Sequence, residues 1–326
     1  MGEGKKLALL GAAVLCFYLL FCAKEATEEP RTPKAGVLPA MAQTSADEMA
    51  GTTTLIRAPA CAAMEEESVF VPSQADSAVK MTIGTAALLK NETGYPVDAS
   101  AIAGGGTALR LPAEGPQILI IHTHSSEAYT PAGLDRYEPS DSARTEDAEH
   151  NIIRVGDELT KLFEEAGLNV IHDRGVYDYP SYTGSYARSG AAVEQYLRDY
   201  PDIGVVLDLH RDALGSEGVI YKTMAEEEGS CASQLMLLVG TDESGLEHPN
   251  WQMNLSLALY LQSAVASAHP TLMRPVALVP QRYNQQLCPG MLILEVGSSG
   301  NTMQEALAAI RLFAGAAAPA LLELVG

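Results

Sequence analysis

The chain has 326 residues and is strongly acidic, with 41 Asp and Glu against 21 Lys and Arg and a formal net charge of −20 at pH 7. This excess of negative charge argues against binding to nucleic acid or to anionic lipid, because their phosphate groups would be repelled. The five cysteines include no Cys-x-x-Cys pair, so no thiolate zinc site is indicated. Cys231 and Cys288 could form a disulfide, although nothing in the sequence requires one.

An uncharged apolar stretch lies near the amino terminus, at residues 7–23, directly after Lys5 and Lys6. It is at the short end of the length that spans a bilayer, and no small-x-small cleavage site follows its apolar core. We therefore interpret residues 1–23 as an uncleaved transmembrane signal anchor. With the two lysines kept inside, the rest of this single-pass membrane protein lies on the extracytoplasmic side.

Residues 24–114 have the composition of a linker. They are rich in Ala, Thr, Glu, Pro and Gly and contain few stretches that could bury a core, which is typical of a flexible, low-complexity, disordered tether. Residues 115–326 remain, and they are enough for one compact domain.

Apolar runs alternate with amphipathic segments through residues 115–326. Strands are predicted at 117–121, 168–172, 203–210, 219–221, 235–239, 276–279 and 291–296, and helices at 148–167, 184–199, 250–268 and 302–324. Strands that alternate with helices predict an α/β fold with a mostly parallel central sheet and helices on both faces.

Two of the predicted strands end in residues that bind metals. The run 117–121 leads into His124 and Glu127, an H-x-x-E pair, and the run 203–209 leads into His210. Catalytic zinc usually takes three protein ligands and keeps one position open, so these three side chains are the candidate ligands of Zn²⁺. A lone histidine at a strand end is more often structural. The metal site is favoured because separate runs deliver ligand-type residues to the same edge of a parallel sheet.

A third run, 291–294, is followed by Glu295, which is placed to act as the catalytic base towards the attacking water. His122 lies two residues before His124 and would share its face in an extended strand. We interpret His122 as a residue that supports the ligands, with metal binding and substrate contact as the alternatives.

Other polar residues are candidates for substrate binding or for support of the ligands. Asp208 or Asp212 would orient His210 through its second ring nitrogen. Arg211 and Asn284 are the candidate donors to the oxyanion. The loop 280–290 offers a cation, an aromatic ring and an amide that suit a peptide or an N-acyl sugar, namely Arg282, Tyr283 and Asn284.

Taken together, these motifs resemble the stage II sporulation protein P family, membrane-anchored cell-wall hydrolases of endospore-forming bacteria. The likeness spans about residues 115–320. It rests on His122–Glu127, Asn151–Asp157, Asp208–Asp212, Arg282–Asn284, Leu294–Gly297 and Asn301–Thr302.

The resemblance implies a fold like that of zinc-dependent N-acetylmuramoyl-L-alanine amidases and cleavage of the amide that joins the stem peptide to the glycan. It also implies endopeptidase activity on peptide cross-links. The place of action would be the mother-cell membrane facing the septal wall, during septal thinning and engulfment, beside a lytic transglycosylase and another membrane protein.

Carried onto this sequence, the resemblance makes His124, Glu127 and His210 the zinc ligands and Glu295 the catalytic acid and base. The amidase fold often takes its second ligand from the start of the helix after the first strand. Glu149 and His150 at that position therefore remain an alternative to Glu127.

Two other classes of function remain open. A zinc carboxypeptidase-like enzyme acting on wall peptides would also carry H-x-x-E followed by a distant histidine, and it would trim single residues rather than release whole stem peptides. A catalytically silent wall-binding scaffold would hold no zinc.

Overall fold

The computed structural model describes residues 78–81, 88–131, 143–216, 219–227 and 229–326. The predicted anchor at 1–23 and most of the predicted linker lie outside these ranges, so both remain predictions. Within the described ranges, the helix Met303–Leu322 is long and apolar enough to cross a membrane, but 56% of its apolar window is buried inside the protein. Burial of this kind is typical of a core helix.

A seven-stranded sheet forms the centre of the described fold, in the order β2-β9-β8-β10-β5-β3-β4. Neighbouring strands are parallel except for the pair β8 and β10, which is antiparallel. The strands are β2 (Leu89–Asn91), β3 (Ile118–Ile121), β4 (Val170–His172), β5 (Val205–Asp212), β8 (Leu235–Gly240), β9 (Val276–Val279) and β10 (Met291–Ser298).

A second, three-stranded sheet has the order β1-β7-β6. In it β1 runs parallel to β7, and β6 runs antiparallel to β7. Its strands are β1 (Ala78–Met81), β6 (Gly215–Ser216) and β7 (Val219–Thr223).

Helices cover both faces of the central sheet. The apolar side chains of β5 alternate between the two faces, because successive residues of a strand point to opposite sides. Val205, Leu207 and Leu209 belong to the larger core with α2, α4 and α5, whereas Val206 belongs to the smaller core with α3. The helices are α1 (Ala99–Gly105), α2 (Ile152–Glu165), α3 (Ser185–Asp199), α4 (Trp251–Ala268) and α5 (Met303–Leu322), with a short 3-10 helix at Gln285–Leu287.

The sheet and its covering helices confirm the predicted fold class, and local side-chain chemistry explains where the helices start. The helix α2 starts at Ile152 rather than at 148, because the Asn151 side chain accepts a hydrogen bond from the Ile153 amide. At α5, Thr302 and Glu305 form a reciprocal capping box.

The predicted boundary at residue 115 is too late. Leu89–Asn91 pairs in parallel with Val276–Leu278 as an edge of the central sheet. Leu111 is 1% exposed and bridges to Val325. The residues from 88 to 114 therefore belong to the folded domain, because they complete its sheet and cover its core.

The two cysteines of the described domain do not pair with each other. Cys288 is a buried free thiol, and burial raises its pKa. Cys231 is in a disulfide. The Cys231–Cys288 bridge considered from the sequence is therefore excluded.

Candidate metal centre at the carboxyl edge of the sheet

Three adjacent strands build the site. The strand β5 lies between β3 and β10 and runs parallel to both. Their carboxyl ends therefore meet at one edge of the sheet, as expected for parallel neighbours. In this register Glu295 stands beside His210, and Ile121 stands beside Asp208.

The three candidate ligands converge at this edge. One ligand atom from each of His124, Glu127 and His210 lies within 4.8 Å of the other two, and all three residues are buried. Nδ1 of His124 is 3.3 Å from Oε1 of Glu127, and Nδ1 of His210 is 3.7 Å from Oε2. The two imidazole rings meet edge to face, with centroids 5.0 Å apart.

The donor set fits a zinc ion. Nε2 of His124 is buried and has no hydrogen-bond partner among the described residues, an arrangement that costs free energy unless another group satisfies the nitrogen. Two imidazoles and one carboxylate form a common ligand set of catalytic zinc sites that keep a fourth position open.

Hydrogen bonds hold the central carboxylate in place. The backbone N–H of Arg211 donates to Oε2 of Glu127 over 2.7 Å. Burial opposes ionisation of Glu127, but its close contacts with the imidazoles of His124 and His210 outweigh burial and hold its pKa well below the usual range. The site therefore carries a negative charge where a cation would lie.

Asp208 contacts the ring nitrogen of His210 that Glu127 does not approach. Its Oδ1 is 3.1 Å from Nε2 of His210, although the N–H is not aligned for a hydrogen bond. Burial lowers the pKa of His210, but the carboxylates of Asp208 and Glu127 together outweigh burial and hold the pKa well above its usual value. Asp212, the other residue considered for this position, instead accepts a 2.8 Å hydrogen bond from Nη1 of Arg274.

Glu295 projects from β10 on the face that carries His210. Its Oε2 is buried and has no hydrogen-bond partner in the described part of the chain. Burial, and next the negative charge of Asp212, raise the pKa of Glu295 to about 8. A carboxyl group with this pKa can both hold and release a proton near neutral pH, which suits an acid and base.

Tyrosine rings surround the imidazoles, a feature that the sequence reasoning missed. Tyr182 stacks on His124 with ring centroids 4.5 Å apart, and Tyr186 meets the same imidazole edge to face at 5.4 Å. Tyr186 also lies parallel to His210 at 6.4 Å, and Tyr283 lies 5.6 Å from Tyr186. Tyr182 precedes α3 and Tyr186 lies in its first turn, and their spacing of four residues was the available signal.

A buried carboxylate fixes the turn that carries His124. Asp178 accepts hydrogen bonds from Oγ of Ser125 at 3.0 Å and from Oγ of Ser126 at 2.7 Å. Arg144 also donates to Asp178, and its guanidinium lies 4.6 Å from the centroid of the Tyr182 ring. Neither Arg144 nor Asp178 stood out in the sequence.

Three of the predicted substrate-binding residues have structural partners. Arg211 donates through Nη1 to the Ala128 carbonyl. Arg282 donates through Nη1 to the Glu247 carbonyl over 3.0 Å. Asn284 donates through Nδ2 to the Tyr186 carbonyl over 2.7 Å. Of the Arg-Tyr-Asn motif, the ring of Tyr283 is the part that lies against the aromatic wall of the site.

His122 does not support the ligands as the sequence suggested. The strand β3 ends at Ile121 and residues 123–126 form turns, so the alternation that placed His122 beside His124 no longer applies. Nε2 of His122 instead lies 2.8 Å from Nε2 of His172, and Nδ1 lies 3.4 Å from the Leu209 carbonyl. Burial and the neighbouring imidazole lower the pKa of His122 to about 3.

The alternative second ligands also lie apart from the cluster. The side chain of Glu149 is 69% exposed and lies 4.0 Å from Nε of Arg154. Nδ1 of His150 lies 2.9 Å from Oδ2 of Asp147. Within the described ranges, Glu127 is the carboxylate that joins the two histidines.

The fold and site define an α/β protein with a candidate centre of two histidines and one carboxylate at the carboxyl edge of its sheet. Residues 40–318 match the family model described as Stage II sporulation protein P (SpoIIP). The chain belongs to this family.

The chain is 26% identical over 203 residues to Stage II sporulation protein P of Bacillus subtilis (strain 168). That match covers 58% of this chain and 47% of the relative, so it spans about half of the length of the curated relative.

Solved structures that are similar to this chain include N-acetylmuramoyl-L-alanine amidases. AmiC2 of Nostoc punctiforme has a TM-score of 0.38 and 14% identity, covering 64% of this chain and 97% of that chain. The amidase from Clostridium difficile 630 has a TM-score of 0.37 and 13% identity, with coverage of 64% and 97%. Likenesses at this distance carry no argument about activity.

Proposed function

We propose that this chain is a zinc-dependent peptidoglycan hydrolase that cleaves the N-acetylmuramoyl-L-alanine amide during sporulation, with peptide cross-links as a second substrate. The observation that carries the proposal is the convergence of His124, Glu127 and His210 beside Glu295, in a member of the stage II sporulation protein P family. The choice of this amide as the substrate bond rests on what the resemblance to the family implies.

In this proposal, three residues bind the metal and a fourth transfers protons. His124, Glu127 and His210 would hold Zn²⁺, which when bound polarises a carbonyl and lowers the pKa of a coordinated water to about 7. Glu295 would take a proton from the attacking water and deliver it to the leaving nitrogen. Its position beside His210 in the sheet and its buried Oε2 support this role.

The aromatic wall would bind the substrate. Tyr182, Tyr186 and Tyr283 offer flat apolar faces close to the ligands. Such faces pack against sugar rings and aliphatic peptide groups and exclude water from the bond to be cleaved. The predicted partners, among them a lytic transglycosylase, and the position at the mother-cell membrane remain part of this proposal.

The test is digestion of purified peptidoglycan by the full chain and by Glu295→Gln, with zinc content measured on both. We expect the wild type to bind one zinc per chain and to release whole stem peptides. We expect Glu295→Gln to keep its zinc and to lose at least about a hundredfold in rate, because it cannot relay the proton. Full activity in this variant would remove Glu295 as the base.

The exposed carboxylate Glu149 provides a matched control, and Glu149→Gln should retain both zinc and activity. The products separate the other classes of function. Release of single amino acids would indicate a carboxypeptidase. A wild type that binds no zinc and releases no product would indicate a wall-binding scaffold.

A further inference from the structure

A buried line of polar side chains leads from α3 to the candidate ligand His210. Nδ2 of Asn284 lies 3.4 Å from Oγ of Ser189, and Oγ of Ser189 lies 2.7 Å from Oγ1 of Thr123. Oγ1 of Thr123 lies 2.6 Å from Oδ2 of Asp208. Oδ1 of Asp208 in turn lies 3.1 Å from Nε2 of His210.

The direction of these hydrogen bonds follows from the chemistry of each group. The Thr123 hydroxyl has one proton, and an ionised carboxylate only accepts. The proton of Thr123 therefore goes to Asp208, and Ser189 must donate its own proton to Oγ1 of Thr123. The oxygen of Ser189 is then left to accept from the amide of Asn284, whose Nδ2 is always a donor.

Asp208 is consequently held as an ionised acceptor by two donors from one residue. Oγ1 of Thr123 donates to Oδ2, and the backbone N–H of Thr123 donates to Oδ1 over 2.8 Å. Thr123 is 1% exposed and Asp208 is fully buried, so water does not compete for these bonds. Oδ1 also lies 3.1 Å from Nε2 of His210, and the negative charge beside this nitrogen favours a proton on it.

We propose that Thr123 and Ser189 are positioning residues that, through Asp208, keep the proton of His210 on Nε2 and leave Nδ1 to bind the metal. This inference rests on the proposed function, because it concerns the metal that the enzyme would use. Nδ1 is the nitrogen of His210 that lies nearer to Glu127, and Glu127 also contacts His124. Partners behind a metal-binding imidazole fix both its tautomer and its orientation.

The backbone around the far end of the line is built to deliver Asn284. Tyr283 and Asn284 have φ angles of 50° and 61°, in the left-handed region that non-glycine residues rarely adopt. Gly190 in α3 permits the approach, because a Cβ there would lie 3.0 Å from Nδ2 of Asn284. The turn therefore places Nδ2 of Asn284 next to Oγ of Ser189 in α3, where it can donate a hydrogen bond.

The test compares the full-length wild type with Thr123→Val and Thr123→Ser. Valine has nearly the same shape but no hydroxyl, so we expect zinc affinity, measured by competition with a chelator, to fall about 10-fold or more. Serine restores the hydroxyl, and we expect it to keep the affinity within a few-fold of the wild type. Ser189→Ala removes only the second donor, and we expect a smaller loss in the same direction.

A matched control and a direct readout complete the experiment. Thr241→Val removes a buried hydroxyl that donates to the Val279 carbonyl over 3.0 Å, and it should leave zinc affinity unchanged. In the zinc-loaded wild type, nitrogen NMR of His210 should show the metal on Nδ1 and the proton on Nε2.

Two results would overturn the proposal while the proposed function stands. One is a zinc affinity in Thr123→Val and Ser189→Ala equal to that of the wild type. The other is a metal bound to Nε2 of His210. A wild type that binds no zinc would overturn both the proposal and the proposed function.

Discussion

Two clusters near the ends of neighbouring strands each contain two histidines and one carboxylate, yet they differ in how their polar atoms are satisfied. The candidate metal centre holds His124, His210 and Glu127. The second cluster, on the other face of the sheet, holds His122, His172 and Asp157, which we name the His122 cluster. In it Nε2 of His122 lies 2.8 Å from Nε2 of His172, whose Nδ1 lies 3.2 Å from Oδ1 of Asp157.

The difference shows what separates a ligand set from a structural network. In the His122 cluster the imidazole nitrogens are paired with each other, with Asp157 and with the Leu209 carbonyl, and Arg174 donates to Asp157. In the metal centre Nε2 of His124 is buried without a partner among the described residues. Composition alone does not make a metal site. A metal site requires ligand atoms that converge on one point and that keep unsatisfied lone pairs.

The largest expected effect is on zinc binding, and it is tested by replacing one histidine of each cluster in turn. His210→Gln should abolish stoichiometric zinc binding, because an amide is a poor zinc ligand compared with imidazole. His172→Gln should bind one zinc per chain, since the His122 cluster binds none. Zinc content after dialysis measures both, and equal losses in the two variants would contradict the distinction between the clusters.

A smaller effect, on stability alone, is expected at the close contact between α2 and the His122 cluster. A Cβ on Gly156 would lie 2.5 Å from Nε2 of His172 and 2.6 Å from Nε2 of His122. Gly156→Ala should therefore lower the free energy of unfolding by about 1–3 kcal/mol, as overpacking does. Zinc content should not change.

The control for Gly156→Ala is Gly315→Ala in α5, where an added Cβ meets nothing within 4 Å. The free energy of unfolding of that variant should rise by up to about 1 kcal/mol, because alanine has a higher helix propensity than glycine. Denaturant unfolding measures both variants. A Gly156→Ala protein as stable as Gly315→Ala would show that the His122 cluster is loosely packed.

A further expected effect is the pH dependence of stability in the metal-free protein. The folded pKa of Glu295 is raised to about 8, so between the unfolded value of about 4.3 and that pH the folded state binds more protons than the unfolded state. Stability from this group is fully present below the lower value and is lost as pH rises towards 8.

Glu295→Gln removes that titration. Its melting temperature relative to wild type should therefore rise between pH 5 and pH 8 in the absence of metal. Bound zinc should reduce this gain, because a cation favours the ionised carboxylate. A difference in melting temperature that stays constant over this pH range would show that Glu295 keeps an ordinary pKa in the folded state.

Much of the fold could be predicted because its signals are local. The apolar runs that became β3, β5 and β10 are continuous and end in polar residues, and α2 has apolar side chains on one face of a helix. The edge strand β2 was missed, because three residues in a Gly- and Pro-rich region carry no periodic pattern. Its strand conformation depends on hydrogen bonds to β9.

Four residues at the carboxyl edge of the sheet could be assigned from the sequence alone. His124, Glu127, His210 and Glu295 each follow an apolar run, and parallel strands bring such positions together. Tertiary structure alone decided that His122 and His124 diverge, because the turn at 123–126 is held by Asp178 rather than by a local preference. It also decided that Tyr182 and Thr123 serve the same site, since their partners are distant in the chain and are set by the packing of α3 on the sheet.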